Sequence, residues 1–108
     1  MNLDITRRFS DGRLWVLIAA YNEACVISDV IKDVLLNVTD NVLVVNDGSS
    51  DNTAEIAKAA GAQVISHCDN LGQGAALQTG FSYLKGIDFD YVVTFDADGD
   101  NTCTKISS

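Results

Sequence analysis

Short apolar runs alternate along the chain with longer segments in which apolar residues recur at helical spacing. The runs are rich in strand-forming residues and cover 14–19, 42–45, 63–66 and 91–95, the third being the weakest. Continuous apolar runs of this length are typical of strands that are covered on both faces, as in parallel sheets. The pattern therefore predicts four buried strands.

The segments between the runs have the spacing of amphipathic helices. In 24–38, valines recur every four positions beside a row of isoleucine and leucine, which gives one wide apolar stripe. The segments 51–60, which Gly61 ends, and 72–85 are the second and third predicted helices. This alternation predicts an α/β fold: an open, mostly parallel sheet with helices on both faces.

Composition limits the domain organisation and the partners. With 108 residues the chain allows one core, so we expect an N-terminal arm over 1–13 and one α/β domain over 14–108. A net charge of −8 disfavours binding to nucleic acid. Three cysteines without a Cys-x-x-Cys pair suggest neither a zinc site nor a disulfide framework, and free thiols are typical of the cytoplasm.

Polar clusters follow each predicted strand. In parallel sheets ligands bind beyond the carboxyl ends of the strands, so these clusters are expected to meet at one edge. Asp96 and Asp98, with one residue between them at the exit of the fourth strand, can reach one divalent cation from the same side. Oxygen ligands of this kind suit Mg²⁺ or Mn²⁺, ions that usually also hold substrate phosphates.

Four of the polar segments, in their order and spacing, carry a family resemblance. They are Ala19-Ala20-Tyr21-Asn22-Glu23, then 44–53 with its Asn-Asp-Gly-Ser-Ser-Asp, then Asn70-Leu71-Gly72-Gln73-Gly74, then Asp96-Ala97-Asp98-Gly99. The chain from Leu14 to about Asp100 resembles family 2 glycosyltransferases of the GT-A fold, and most of all the polyprenyl-phosphate (dolichyl-phosphate) mannose and glucose synthases. The resemblance implies a Rossmann-like nucleotide-binding half.

The resemblance also implies an activity and a site. Such enzymes move a sugar from a UDP- or GDP-linked donor to a lipid phosphate or other acceptor at the cytoplasmic face of a membrane, where we expect this chain to be peripheral. From the matching positions of the family, the resemblance implies that Asp47 hydrogen-bonds the nucleotide base. It also implies that Asp96 and Asp98 bind the ribose and the metal ion. The implied nucleotide-sugar site comprises Ala19, Tyr21, Glu23, Val45, Asp47, Asp96, Ala97 and Asp98.

The chain departs from the family pattern at three places. Ala19 replaces the commoner proline, and Gln73 replaces a Lys or Arg that would lie near the phosphates. The third departure follows Gly99, where the family continues into a second half with the acceptor site and the general base. We therefore expect this chain to be incomplete for catalysis alone, and its uncovered fourth strand predicts self-association.

Other interpretations remain open at this point. A non-catalytic nucleotide- or protein-binding module of the same fold is the main alternative, and a phosphatase that uses the acidic pair is a minor one. Each of the first three motifs alone also fits a plain turn, loop or helix start, and the acidic pair alone would match many metal sites. The single histidine, His67, is expected at the solvent edge rather than as a base, and Trp15 is expected in the core.

Overall fold

The computed structural model describes residues 14–87, 91–96 and 106–107. Its elements follow the predicted alternation of strand and helix. In chain order they are β1 Leu14–Ala20, α1 Ile27–Asn37, β2 Val42–Asn46, α2 Thr53–Ala60, β3 Gln63–Ser66, α3 Gln73–Leu84, β4 Tyr91–Asp96 and β5 Ile106–Ser107.

The described strands form one sheet in the order β3-β2-β1-β4-β5. The pairs β1–β2, β1–β4 and β2–β3 are parallel, and β5 is antiparallel to β4. The predicted α/β fold is thus confirmed, with element bounds that differ from the predicted ones by at most three residues. The short β5 was not predicted, because two residues carry no periodic signal.

Successive side chains of the central strands enter two separate apolar cores. In β1, Val16, Ile18 and Ala20 join the core under α1 and α2, whereas Leu17 and its alternate neighbours join the core under α3. Every residue of β1 and β2 is buried. Trp15 is only 5% exposed, which confirms its expected place in the core.

The helices reach the sheet by different means. α1 buries Ile27, Val30, Ile31 and Val34. α3 buries two small residues, Ala76 and Gly80, together with Leu84. A Cβ added at Gly80 would lie 2.3 Å from Leu17 Cδ1, so the helix backbone lies very close to β1. Among the described residues, none of the helices combines the length and hydropathy that crossing a bilayer requires.

Candidate functional site

A cleft of about 330 Å³ opens at the carboxyl ends of β1 and β2, beside the first turn of α3. Its walls come from the loops that follow β1, β2 and β3, as expected for a parallel sheet. The lining residues are Ala19, Ala20, Tyr21, Glu23, Asp47, Asn70, Gly72, Gln73 and Ala76.

Hydrogen bonds join the loop after β1 to the loop after β2. The backbone N–H of Asn22 donates to Ser49 Oγ over 2.8 Å, and the backbone N–H of Ser50 donates to Asn22 Oδ1 over 2.8 Å. Asn22 has a φ of 53°, a left-handed conformation that asparagine tolerates better than most residues. The two loops therefore form one connected wall of the cleft.

The same wall is fastened to the start of α2. Thr53 Oγ1 accepts a hydrogen bond from the backbone N–H of Glu23 over 3.0 Å, and the Thr53 hydroxyl donates to Asp51 Oδ1. Asp51 Oδ2 also accepts from the backbone N–H of Ala24. The bond from the Thr53 hydroxyl lowers the pKa of Asp51, and burial, which acts in the opposite direction, does not cancel it.

The Asp47 side chain accepts hydrogen bonds from four donors. Its Oδ1 accepts from His67 Nδ1 over 2.8 Å and from the Leu71 N–H over 3.0 Å. Its Oδ2 accepts from Asn70 Nδ2 over 2.9 Å and from the Gly72 N–H over 2.8 Å. Since a carboxylate offers about four acceptor positions, these four donors fill it.

The charge on Asp47 is stabilised inside the protein. Burial raises the pKa of this carboxyl, since Asp47 is only 3% exposed. The hydrogen bonds from His67, Leu71 and Gly72, together with the charge that His67 can carry, lower the pKa by more. The net direction is downward, so Asp47 is an ionised carboxylate at neutral pH.

His67 does not lie at the solvent edge, and that expectation was wrong. Only 11% of its side chain is exposed, because Nδ1 contacts Asp47 and Nε2 lies 2.8 Å from Thr79 Oγ1. Asp47 and His67 are 20 positions apart in the chain, and Thr79 is a further 12 positions away. Sequence reasoning missed this group because no local motif joins the three residues.

Gly48 allows the loop after β3 to close over Asp47. A Cβ at this position would lie 2.4 Å from the backbone carbon of Asp69 and 2.5 Å from the backbone nitrogen of Asn70. Its φ of +75° is also one that residues with a side chain rarely adopt. The Asp-Gly pair thus supplies both the carboxylate and the space for the backbone that binds it.

The structure brings part of the predicted site together. Four of the predicted residues line the cleft: Ala19, Tyr21, Glu23 and Asp47. Val45 is instead fully buried in the core beneath it. The backbone of Asp96 pairs with that of Ala19, and Ala97 and Asp98 lie outside the described residues.

The metal site at Asp96 and Asp98 stays a prediction. No group of three His, Cys, Asp or Glu side chains that could hold a metal ion occurs within the described part of the chain. Asp47 has no acceptor position left for a cation, because four N–H groups occupy it. In the register of β1 and β4, the backbone of Asp96 pairs with that of the cleft residue Ala19.

Comparison with known proteins gives concordant matches. The family described as "Glycosyl transferase family 2" matches residues 15–102. The UDP-N-acetylglucosamine–dolichyl-phosphate N-acetylglucosaminyltransferase of Methanococcus voltae is 33% identical, over 83% of this chain and 43% of its own length. The undecaprenyl-phosphate 4-deoxy-4-formamido-L-arabinose transferase of Edwardsiella ictaluri is 35% identical, over 80% of this chain and 29% of its own.

A solved structure matches the fold as well. Glucosyl-3-phosphoglycerate synthase from Mycobacterium tuberculosis, in complex with Mn²⁺, UDP-glucose and phosphoglyceric acid, superposes with a TM-score of 0.62 and 31% identity. The match covers 82% of this chain and 34% of that one. The chain thus spans less than half the length of these relatives. Its motifs, its sheet and these matches show that the chain belongs to glycosyl transferase family 2.

Proposed function

We propose that residues 14–108 form the donor-binding domain of a glycosyltransferase that moves a sugar from a UDP- or GDP-sugar to a polyprenyl phosphate. The cleft carries the proposal, because an exposed aromatic ring, a carboxylate and a buried anion converge there: Tyr21, Glu23 and Asp47. Two relatives named above act, by their names, on dolichyl or undecaprenyl phosphate. A structural neighbour was crystallised with Mn²⁺ and UDP-glucose.

Each cleft residue has chemistry suited to a nucleoside. Tyr21 is 46% exposed at the rim, where its ring can stack on a base. The Glu23 carboxylate can accept hydrogen bonds from nucleoside hydroxyls. Asp47 accepts an imide N–H of the base, which requires one of its present donors to leave. Asn70 is the donor that leaves, because it is the one exposed side chain among the four donors.

Asp96 and Asp98 would hold the divalent ion, Mg²⁺ or Mn²⁺. That ion supplies positive charge against the negative charge of the departing nucleoside diphosphate. The backbone N–H groups that open α3 also favour negative charge. They matter here because Gln73, which lines the cleft, has no charge of its own.

Isothermal titration calorimetry with UDP, GDP and their sugar conjugates, with and without Mn²⁺, tests the proposal. We expect Mn²⁺-dependent binding of one nucleotide series, and loss of the Mn²⁺ dependence in Asp98→Ala. Asp29→Ala, on the exposed face of α1, is the matched control and should bind as the parent chain does. Failure to bind any nucleotide, or unchanged binding by Asp98→Ala, would contradict the donor site.

Catalysis needs a separate assay. Transfer of radiolabelled sugar to dolichyl phosphate by the chain would exclude the alternative of a non-catalytic module. Metal-dependent nucleotide binding without transfer would support that alternative for this chain, while the donor site itself would stand.

A further inference from the structure

A chain of hydrogen bonds connects the middle of α3 to the carboxylate of the cleft. Thr79 Oγ1 lies 2.8 Å from His67 Nε2, and His67 Nδ1 lies 2.8 Å from Asp47 Oδ1. Asp47 lines the cleft, whereas His67 and Thr79 are not among its lining residues. A helix residue outside the cleft is therefore connected to the most buried charge within it.

The direction of these hydrogen bonds follows from their donors and acceptors. An ionised carboxylate only accepts, so His67 Nδ1 must carry a proton. In the neutral imidazole, Nε2 is then an acceptor, and the Thr79 hydroxyl must donate to it. Thr79 thus favours one of the two neutral tautomers, the one that can donate to Asp47.

We infer that His67 and Thr79 are positioning residues for donor recognition: Thr79 holds the Nδ1–H tautomer of His67, and His67 fixes the plane of the Asp47 carboxylate. This inference rests on the proposed nucleotide site. Without the Thr79 hydroxyl, Nε2 has no partner in a largely enclosed place, and the ring is free to turn or to change tautomer. Asp47 Oδ1 would then keep only the Leu71 N–H as a fixed donor.

The carboxylate plane matters because Asp47 also holds the loop after β3. Leu71 and Gly72 donate their backbone N–H groups to its two oxygens, and Gly72 lines the cleft. A rotated carboxylate cannot keep both bonds at good geometry, since hydrogen bonds weaken steeply with angle. Loss of the hydrogen bond between Thr79 and His67 is thus expected to move the cleft wall at Gly72. It is also expected to move the Asp47 carboxylate, which would accept the hydrogen bond from the base.

Nitrogen NMR tests the hydrogen-bond chain without any nucleotide. His67 is the only histidine of the chain, so the imidazole ¹⁵N spectrum reports this ring alone. We expect the neutral ring of the parent chain to be protonated at Nδ1, a mixture of tautomers in Thr79→Val, and the parent spectrum in Thr79→Ser. A proton on Nε2, protons on both nitrogens throughout, or no change in Thr79→Val would overturn the inference.

Calorimetry with the nucleotide that binds best tests the positioning role. Thr79→Val should weaken binding by about three- to tenfold, a loss in line with one hydrogen bond of the cleft wall. Thr79→Ser should restore binding, and Gln78→Ala, on the exposed side of the same helix, should leave it unchanged. Should Thr79→Val fail to fold, His67→Asn is the second variant. It keeps an N–H group near Asp47 but loses the hydrogen bond to Thr79, and it should weaken nucleotide binding in the same way.

The outcomes separate the two proposals. A lower melting temperature for Thr79→Val with unchanged nucleotide affinity would show a purely structural role and overturn the inference alone. Absence of nucleotide binding by the parent chain, with the expected NMR result, would overturn the donor site and with it the positioning role, but not the hydrogen-bond chain.

Discussion

The two faces of the sheet are built differently. The face under α1 and α2 is apolar, and its core is made of aliphatic side chains such as Ile18, Ile31 and Val44. The face under α3 has an apolar core around Leu17, but at the carboxyl ends of the strands it also contains the polar group Asp47, His67 and Thr79. One face mainly stabilises the fold, while the other combines packing with the cleft.

The difference between the two faces shows that the cleft depends on how α3 packs against the sheet. Small residues bring α3 close to β1, so that its first turn lines the cleft while Thr79 reaches His67. Substitutions under α1 should therefore change stability alone. Substitutions at the polar group or beneath α3 should change both stability and the cleft.

The largest expected effect is on the apolar face. Ile31→Ala removes a fully buried side chain and should lower the free energy of unfolding by about 4 kcal/mol through lost burial and a cavity. Urea denaturation measures this loss, and Leu36→Ala, at a position 73% exposed on the same helix, should change little. Nucleotide affinity of the folded Ile31→Ala protein should stay unchanged, and a fall would contradict the separation of the two faces.

The next effect is at the polar group. Asp47→Asn replaces one acceptor oxygen by a donor that faces N–H groups, and it removes a charge that four donors stabilise. We expect a loss of about 3 kcal/mol in unfolding free energy together with weaker nucleotide binding. Asp69→Asn, at an exposed position in the adjoining loop, is the control. Equal stability of the two variants would show that the buried carboxylate does not organise this loop.

Substituting alanine for two glycines of α3 should change the stability in opposite directions. Gly80→Ala places a Cβ against Leu17 and should cost about 2 kcal/mol through overpacking. Gly74→Ala meets no atom within 4 Å and should gain up to about 1 kcal/mol, because alanine favours the helix. Thermal unfolding of both variants measures the difference. Stabilisation by Gly80→Ala would contradict the close approach of α3 to β1.

The smallest effect is expected from a fall in pH to below about 4. The pKa values of Asp47 and Asp51 are lowered in the folded chain from their ordinary value of 3.8, so the unfolded chain binds more protons in acid. Their contribution to stability is complete well above that value and is lost as pH falls through it and below. Trp15, the only tryptophan, lies in the core under α3 and reports the change by fluorescence. A transition already present near pH 6 would point to another group.

The family assignment and the fold class could be predicted from local patterns. Apolar runs and helical stripes are properties of neighbouring residues, and the motifs around Tyr21, Asp47 and Asn70 each lie within a few positions. Because parallel strands align their carboxyl ends, the meeting of these motifs in one cleft also followed from the alternation of elements.

The tertiary structure alone decided which side chains surround Asp47. The bonds from His67, and from Thr79 to His67, join residues distant in the chain, and they depend on how closely α3 packs on the sheet. Val45 is likewise fully buried in the core under α3, which depends on how that helix packs on the sheet. Short-range pattern specifies elements and their polar ends, whereas burial and hydrogen bonding between elements specify what each polar group can do.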